Sequence, residues 1–138
     1  FGTLGVGAGF ILGAHFTNPG SLIWAVFGDG AFGFSMMEFD TFTRYNIPVV
    51  AVIGNDSCWS QIARDQVAFL NDPIGTELAA TKYHKAIEGL GGDGYIIESE
   101  DQIQVVLSRA KKSALDGRPV VVNARIGKTE FRKGSISI

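Results

Sequence analysis

Apolar residues occur along the chain in two patterns: short continuous runs, and longer stretches in which they recur every three or four positions. The continuous runs predict buried strands at 21–27, 47–53, 95–98 and 118–126. The helical spacing predicts helices near the start of the chain and at 34–45, 82–92 and 100–115. Alternating strands and helices predict an α/β fold, with a mostly parallel sheet and helices on both of its faces.

The same patterns predict which side chains are buried. The strand at 21–27 is too continuously apolar to have a face in water, so we expect both faces to be covered. Residues 60–80 mix polar and apolar positions, and they predict a short helix and a loop. Two helices are expected to bury one face each, formed by Phe34, Met37, Phe42 and Tyr45 in the first and by Ile103, Val106, Leu107 and Ala110 in the second.

Three glycines near the start of the chain, Gly5, Gly9 and Gly13, recur every four residues and would share one face of a helix. Glycine in a helix interior costs about 1 kcal/mol relative to alanine. We therefore expect a close neighbour on that face, either the sheet or a ligand.

The composition is that of one folded globular domain. The 138 residues are 46% hydrophobic and 19% charged, enough apolar material for a sizeable core. A net charge of −2 gives no reason to expect nucleic acid, and the apolar run at 1–14 is too short to cross a bilayer. The sequence starts at Phe1, inside a glycine-rich pattern, so we expect residues 1–138 to be one domain of a longer chain. Cys58 is the sole cysteine, and we expect it to be buried.

An acidic residue directly follows the first predicted strand. Asp29 lies between Gly28 and Gly30, and residues 28–33 match the G-x-G-x-x-G pattern of dinucleotide-binding turns. In an NAD-binding Rossmann domain the pyrophosphate would lie against this turn and Asp56 would bind the ribose. Asp29 would repel that pyrophosphate, which counts against this first hypothesis.

A second acid, Asp56, follows the next predicted strand, and adjacent parallel strands would bring it to the same edge of the sheet as Asp29. At roughly 4 Å and an effective dielectric constant near 20, each like-charge pair would cost about 4 kcal/mol beside a diphosphate. Mg²⁺ removes this cost, because it prefers hard oxygen ligands together with phosphate oxygens. We therefore predict a Mg²⁺ site formed by Asp29, by Asp56 or Asn55, and by a main-chain carbonyl near Cys58.

The helix after this turn gives two further expectations. The N–H groups of Gly30 and Ala31 would be available to a phosphate. Alternatively, Asp29 only caps that helix, because aspartate is a favoured N-cap residue.

The order of these motifs resembles a known family. Gly28-Asp29-Gly30 followed by Gly54-Asn55-Asp56 is similar to the G-D-G…N-N signature of thiamine diphosphate enzymes. The segment GTLGVGAGF resembles their glycine-rich segment, and the likeness continues through YHKAIEGLGGDG and GRPVVVNARIG, so it covers essentially the whole chain. It implies the thiamine diphosphate-binding fold, as the diphosphate-binding domain of the group with acetolactate synthases, oxalyl-CoA decarboxylases and 2-hydroxyacyl-CoA lyases.

The resemblance also implies roles for single residues. Asp29 would be the first Mg²⁺ ligand, and Cys58 would supply a carbonyl ligand. Asp56 falls on the second asparagine of the family's pair, which binds the metal, and Asn55 falls on the first, so the choice between them stays open. Gly2 and Leu4 would contact the aminopyrimidine, and Leu4 would support the bent cofactor. The implied cofactor contacts are Gly2, Leu4, Gly28, Asp29, Gly30, Ala31, Asn55 and Cys58.

The implied activity is that of a carbon–carbon lyase that cleaves a 2-hydroxyacyl-CoA into an aldehyde and formyl-CoA. Acetolactate synthesis, with a 2-oxo acid substrate, and a non-catalytic homologue are the alternatives. The family's activating glutamate comes from another domain, normally of a partner subunit. We therefore expect no catalytic residue within residues 1–138, no activity from this segment alone, and a homodimer or homotetramer. The resemblance also suggests that the protein is located in the endoplasmic reticulum.

Overall fold

The computed structural model describes residues 3–128, which form four strands and six α-helices. The strands are β1 (Ile23–Gly28), β2 (Val49–Asn55), β3 (Asp93–Ile97) and β4 (Pro119–Arg125). The helices are α1 (Gly7–Thr17), α2 (Asp29–Gly33), α3 (Glu38–Arg44), α4 (Ser60–Leu70), α5 (Tyr83–Gly89) and α6 (Ile103–Leu115), the last preceded by a 3₁₀ turn at Glu100–Gln102. None of the helices within 3–128 is long and apolar enough to cross a bilayer.

The strands form one parallel sheet in the order β1-β2-β4-β3, which confirms the predicted α/β fold. Long apolar runs suit such a sheet, because a parallel strand is usually covered on both faces. In the pairing of β1 with β2, Gly28 lies opposite Gly54. The two segments that follow these glycines therefore begin side by side at one edge of the sheet.

Two apolar layers cover the sheet. The first is formed by α1, α3 and α5 and includes Ile11, Phe39, Phe42, Ile53 and Ile87. The second is formed by α6 and includes Val50, Ala110, Ala114, Val120 and Val122. In the first layer the ring of Phe32 makes edge contacts with those of Phe27, Phe39 and Tyr83, each with centroids 5.4 Å apart. This aromatic cluster lies directly beyond the first strand end, because Phe32 belongs to α2.

The predicted helix at 34–45 differs from the structure. Residues 34–37 form a turn between α2 and α3. Its main-chain hydrogen bonds connect residues three apart in sequence, as in the bond from the Ser35 N–H to the Phe32 carbonyl at 3.1 Å. The turn shifts the helical phase, so the predicted buried face is wrong: Phe34, Met37 and Tyr45 are 60%, 64% and 67% exposed. Of the predicted set only Phe42 is buried, together with Phe39.

The predicted cover on both faces of the first strand is also wrong. Trp24 and Val26 on β1 are 44% and 83% exposed. Helix α6 lies against β2, β4 and β3, whereas β1 is at the end of the strand order. Within α6, Ala110 is buried and Val106 and Leu107 pack on the core, but Ile103, at the first position, is 41% exposed.

The glycine face of the first helix is open rather than tightly packed. Gly5 precedes α1, and a Cβ at Gly9 or Gly13 would have no neighbour within 4 Å among the described residues. The close contact is at Gly7, where a Cβ would come within 2.3 Å of the Phe27 ring. In contrast, the expectation of a helix and a loop within 60–80 is confirmed by α4 and the segment after it.

Two glycine substitutions should affect stability in opposite directions. A Cβ at Gly94 on β3 would lie 2.1 Å from the His84 carbonyl oxygen of α5, so we expect Gly94→Ala to lower the free energy of unfolding by about 3 kcal/mol. A Cβ at Gly9 in α1 would meet no neighbour within residues 3–128, and for Gly9→Ala we expect a gain of up to about 1 kcal/mol from helix propensity. Denaturant unfolding of both variants measures the difference. Equal stabilities would contradict the packing of α5 on β3.

Candidate functional site

The residue between the two glycines lies in a buried position at the strand end. Asp29 is the first residue of α2 and is only 4% exposed. The N-cap position is occupied by Gly28, so Asp29 is not the N-cap residue that the alternative hypothesis required. Its Oδ1 accepts the N–H of Gly30 at 2.8 Å. Its Oδ2 is buried and has no hydrogen-bond partner within residues 3–128.

This environment disfavours the charged form of Asp29. Burial raises the pKa of its carboxyl group above the usual range, and the negative charge of Asp56 raises it further. The N–H groups of Gly30, Ser57 and Cys58 act in the opposite direction. The carboxylate therefore lies within the electrostatic reach of both strand-end segments. A cation beside Oδ2 would supply the charge that these amides do not.

The segment after β2 is folded back on itself. Ser57 has a φ of 58°, in the left-handed region that non-glycine residues seldom occupy. The Cys58 N–H then donates to Asp56 Oδ1 at 3.1 Å, and the Ser60 hydroxyl donates to Asp56 Oδ2. These bonds hold the half-buried Asp56 carboxylate at the start of α4, at the same edge of the sheet as Asp29.

Asn55 lies beside Asp56 but is directed into the protein. Its amide nitrogen donates to the Thr81 carbonyl and to Asn123 Oδ1, both at 3.1 Å. Its Oδ1 accepts the N–H of Ser57 at 3.2 Å and the Ser57 hydroxyl at 3.3 Å. An amide group has two N–H donors and two acceptor positions, so these four bonds use its full capacity.

Two of the remaining predicted residues, Gly30 and Cys58, donate their N–H groups to Asp29 and Asp56. Gly30 is covered by the Trp59 indole, because a Cβ at Gly30 would come within 2.5 Å of that ring. Cys58 is buried, as expected, whereas Leu4 is 37% exposed. Gly28 is exposed and Ala31 is half-buried. Gly2 lies outside the described residues.

Sequence reasoning missed three residues at this edge: Trp59 over Gly30, Ser60 on Asp56, and Asn123 on Asn55. Only Asn123 had a usable signal. It is a polar residue that follows the apolar run PVVV of β4, which is buried from Pro119 to Asn123, and it is itself 1% exposed. A buried polar side chain in a strand needs partners, and such partners are often part of a site.

The oxygen atoms at this edge fit a hard cation rather than a soft one. Residues 3–128 contain no cluster of three or more histidine, cysteine, aspartate or glutamate side chains that could hold a metal ion. A cation here would have the carboxylates of Asp29 and Asp56 and would complete its shell from main-chain, water or ligand oxygens. Mg²⁺ typically binds in this way, with one or two carboxylates and the phosphates of its ligand.

Comparison with known proteins gives a family match over nearly the whole chain. The family described as "Thiamine pyrophosphate enzyme, C-terminal TPP binding domain" matches residues 1–124. The protein called 2-hydroxyacyl-CoA lyase 2 in Bos taurus is 55% identical over 140 residues, which cover 100% of this chain. A probable acetolactate synthase of Mycobacterium bovis is 39% identical and matches 89% of it.

A solved structure supports the fold. The thiamine diphosphate-dependent 4-hydroxybenzoylformate decarboxylase of Rhodococcus jostii covers 92% of the chain with a TM-score of 0.78, at 22% identity. The chain spans only 22% of the length of each of the two curated relatives and 24% of the solved decarboxylase chain. These proteins are therefore far longer than the segment they share with this one.

The buried histidine next to this edge should make stability depend on pH. Burial lowers the pKa of His84, and the charge of Lys85 lowers it further, so the unfolded chain binds a proton more readily than the folded one. The contribution of neutral His84 to stability is fully present above the pKa of histidine in the unfolded chain, about 6.5. It is lost as the pH falls through the lower pKa of His84 in the folded protein. In His84→Asn we expect a shallower loss between about pH 7 and pH 5. Unfolding curves of parent and variant measure it, and parallel pH profiles would contradict it.

Proposed function

The chain belongs to the thiamine pyrophosphate enzyme family, as its C-terminal cofactor-binding domain, and we propose that it holds the diphosphate of the cofactor through Mg²⁺ at the ends of β1 and β2. One observation carries the proposal: a buried carboxylate oxygen, Asp29 Oδ2, has no donor within the described residues. An uncompensated buried charge is costly, and a cation shared with a diphosphate would remove that cost.

In this proposal Asp29 and Asp56 are the side-chain ligands, and the carbonyl of Cys58 is the third protein ligand. The hydrogen bonds of Asn55 favour Asp56 over Asn55, because the Asn55 amide already has four partners inside the protein. Two carboxylates bring two negative charges to a Mg²⁺ ion. The diphosphate would therefore enter a site that is less positive than one built from one carboxylate and one amide.

The turn around this site would contact the rest of the diphosphate. Gly28 is extended and carries no side chain, so the diphosphate could approach the main chain there. The N–H group of Ala31 would be available to a phosphate oxygen, whereas that of Gly30 already donates to Asp29. Leu4 and Gly2 stay proposed contacts of the aminopyrimidine, and the exposed fraction of Leu4, 37%, leaves an apolar surface for it.

For the complete protein we propose a lyase that cleaves 2-hydroxyacyl-CoA into an aldehyde and formyl-CoA. The relative with this name is 55% identical, against 39% for the probable acetolactate synthase, which supports the lyase over pyruvate condensation. When bound, thiamine diphosphate would supply a nucleophilic carbon for addition to the substrate carbonyl, and an acceptor for the electron pair of the adjacent carbon–carbon bond when that bond breaks. This domain would bind and orient it, and the activating glutamate would come from a different domain in a homo-oligomer. Location in the endoplasmic reticulum is part of the same proposal.

Replacing the unpaired acid should affect the metal-free and the loaded protein in opposite ways. In the complete protein, Asp29→Asn removes a buried charge and its repulsion with Asp56, so we expect the metal-free variant to gain about 1 kcal/mol. At 100 times Kd, thiamine diphosphate with Mg²⁺ should stabilise the parent by about 2.7 kcal/mol, and the variant hardly at all. Calorimetry with each ligand alone and with both measures these effects.

The matched control is Asp40→Asn, which removes a surface carboxylate paired with Arg44 at 2.7 Å. It should leave the stabilisation by cofactor and Mg²⁺ unchanged. Stabilisation of the parent by NAD without metal would instead support a Rossmann site. Stabilisation by neither cofactor would support a non-catalytic homologue.

The substrate is tested by turnover of the complete protein. We expect formyl-CoA and an aldehyde from a 2-hydroxyacyl-CoA, little or no acetolactate from pyruvate, and no turnover by residues 1–138 alone. Product analysis by mass spectrometry, with cofactor and Mg²⁺ present, distinguishes the outcomes. Acetolactate as the main product would overturn the lyase assignment, and activity from the isolated segment would show that it contains its own activating group.

A further inference from the structure

Two buried asparagines connect the segment after β2 to the neighbouring strand. Asn55 and Asn123 are 0% and 1% exposed, and they lie on the same face of the adjacent strands β2 and β4. Asn123 Oδ1 accepts one N–H of Asn55, and the Asn123 amide nitrogen donates to the Thr81 carbonyl at 3.2 Å. That nitrogen also lies 3.4 Å from His84 Nδ1. The Thr81 carbonyl therefore receives a bond from each asparagine.

These bonds fix which way the Asn55 amide points. Its N–H groups face two acceptors, the Thr81 carbonyl and Asn123 Oδ1, so its oxygen faces the opposite way, towards Ser57. There it accepts both the N–H and the hydroxyl of Ser57. An asparagine oxygen that accepts the N–H two residues on stabilises a tight turn, and it offsets the strain of a residue with positive φ.

This turn determines the positions of the Asp56 carboxylate and of the Ser57 and Cys58 amides. With Ser57 at a φ of 58°, the Cys58 N–H reaches Asp56 Oδ1, and the amides of Ser57 and Cys58 come near the Asp29 carboxylate. A change in the orientation of Asn55 would release this turn. The Asp56 carboxylate and the Cys58 main chain would then lose their fixed position relative to Asp29.

We propose that Asn123 is a positioning residue for the cofactor site: through Asn55 and Ser57 it holds the Asp56–Cys58 segment opposite Asp29. This inference rests on the proposed function, because the position of the Asp56–Cys58 segment matters only if that segment binds the cofactor and its metal ion. An apolar residue at 123 would suit the strand better, since Val121, two residues earlier on the same face, is apolar and fully buried. The asparagine has a specific use here, namely an acceptor for Asn55 and a donor to Thr81.

The test compares two variants of the complete protein. Asn123→Val removes the acceptor and the donor, whereas Val121→Ala leaves a cavity on the same strand and face without touching Asn55. Both should lower the free energy of unfolding. We expect the affinity for thiamine diphosphate at saturating Mg²⁺, measured by calorimetry, to fall about 10- to 100-fold in Asn123→Val and to change less than about twofold in Val121→Ala. Equal changes in the two variants, or none in Asn123→Val, would overturn the proposal.

A second measurement does not depend on the cofactor. In the metal-free protein, amide hydrogen exchange at Ser57 and Cys58 should be faster in Asn123→Val than in the parent, and unchanged in Val121→Ala. If Asn123→Val fails to fold, Asn123→Thr, which keeps a hydroxyl that can accept from Asn55, takes its place and should show the same effects more weakly. Unchanged exchange at both amides would overturn the positioning role. A parent that binds no thiamine diphosphate would contradict the proposed function, whereas the exchange rates would still decide whether Asn123 holds the turn.

Discussion

The candidate site depends on one electrostatic constraint: a carboxylate is buried where two parallel strands end, and one of its oxygens has no donor in the described part of the chain. The pairing of Gly28 with Gly54 creates this situation, because it places the segment after β2 beside Asp29. Burial and the charge of Asp56 both raise the pKa of Asp29. A fold designed only for stability would place an apolar or a neutral residue here. In the proposed site, a bound cation would supply the opposite charge.

Much of the fold could be predicted from the sequence, because parallel strands that are covered by helices on both faces of the sheet are continuously apolar. All four strands lie within two residues of their predicted limits. The exposed faces could not be predicted, since the spacing of apolar residues shows that a helix or strand has an apolar face but not whether another element covers that face. Phe34, Met37 and Tyr45 matched a helical period, yet a turn before α3 changed the phase and left them in solvent. Gly9 and Gly13 matched a period as well, and they meet no neighbour among the described residues.

The candidate site was predictable for a different reason. Asp29 and Asp56 follow strands directly, and strand adjacency brings them to one edge. Spacing alone left two neighbours, Asn55 and Asp56, equivalent as ligands. The hydrogen bonds distinguish their surroundings, because consecutive residues at a strand end point in opposite directions. Asn55 continues the buried face of β2 and enters the network with Asn123, whereas Asp56 begins the turn.

The uncovered face of β1 has a consequence for the behaviour of this domain on its own. Trp24 and Val26 form an apolar strip on a strand with a single partner, β2, among the described residues. An edge strand of this kind presents unpaired main-chain N–H and C=O groups together with exposed apolar side chains. Such strands commonly pair with the same strand of an identical molecule. Recombinant preparations of the separated domain would consequently tend to self-associate at high concentration, and poor solubility there would reflect this strip rather than misfolding.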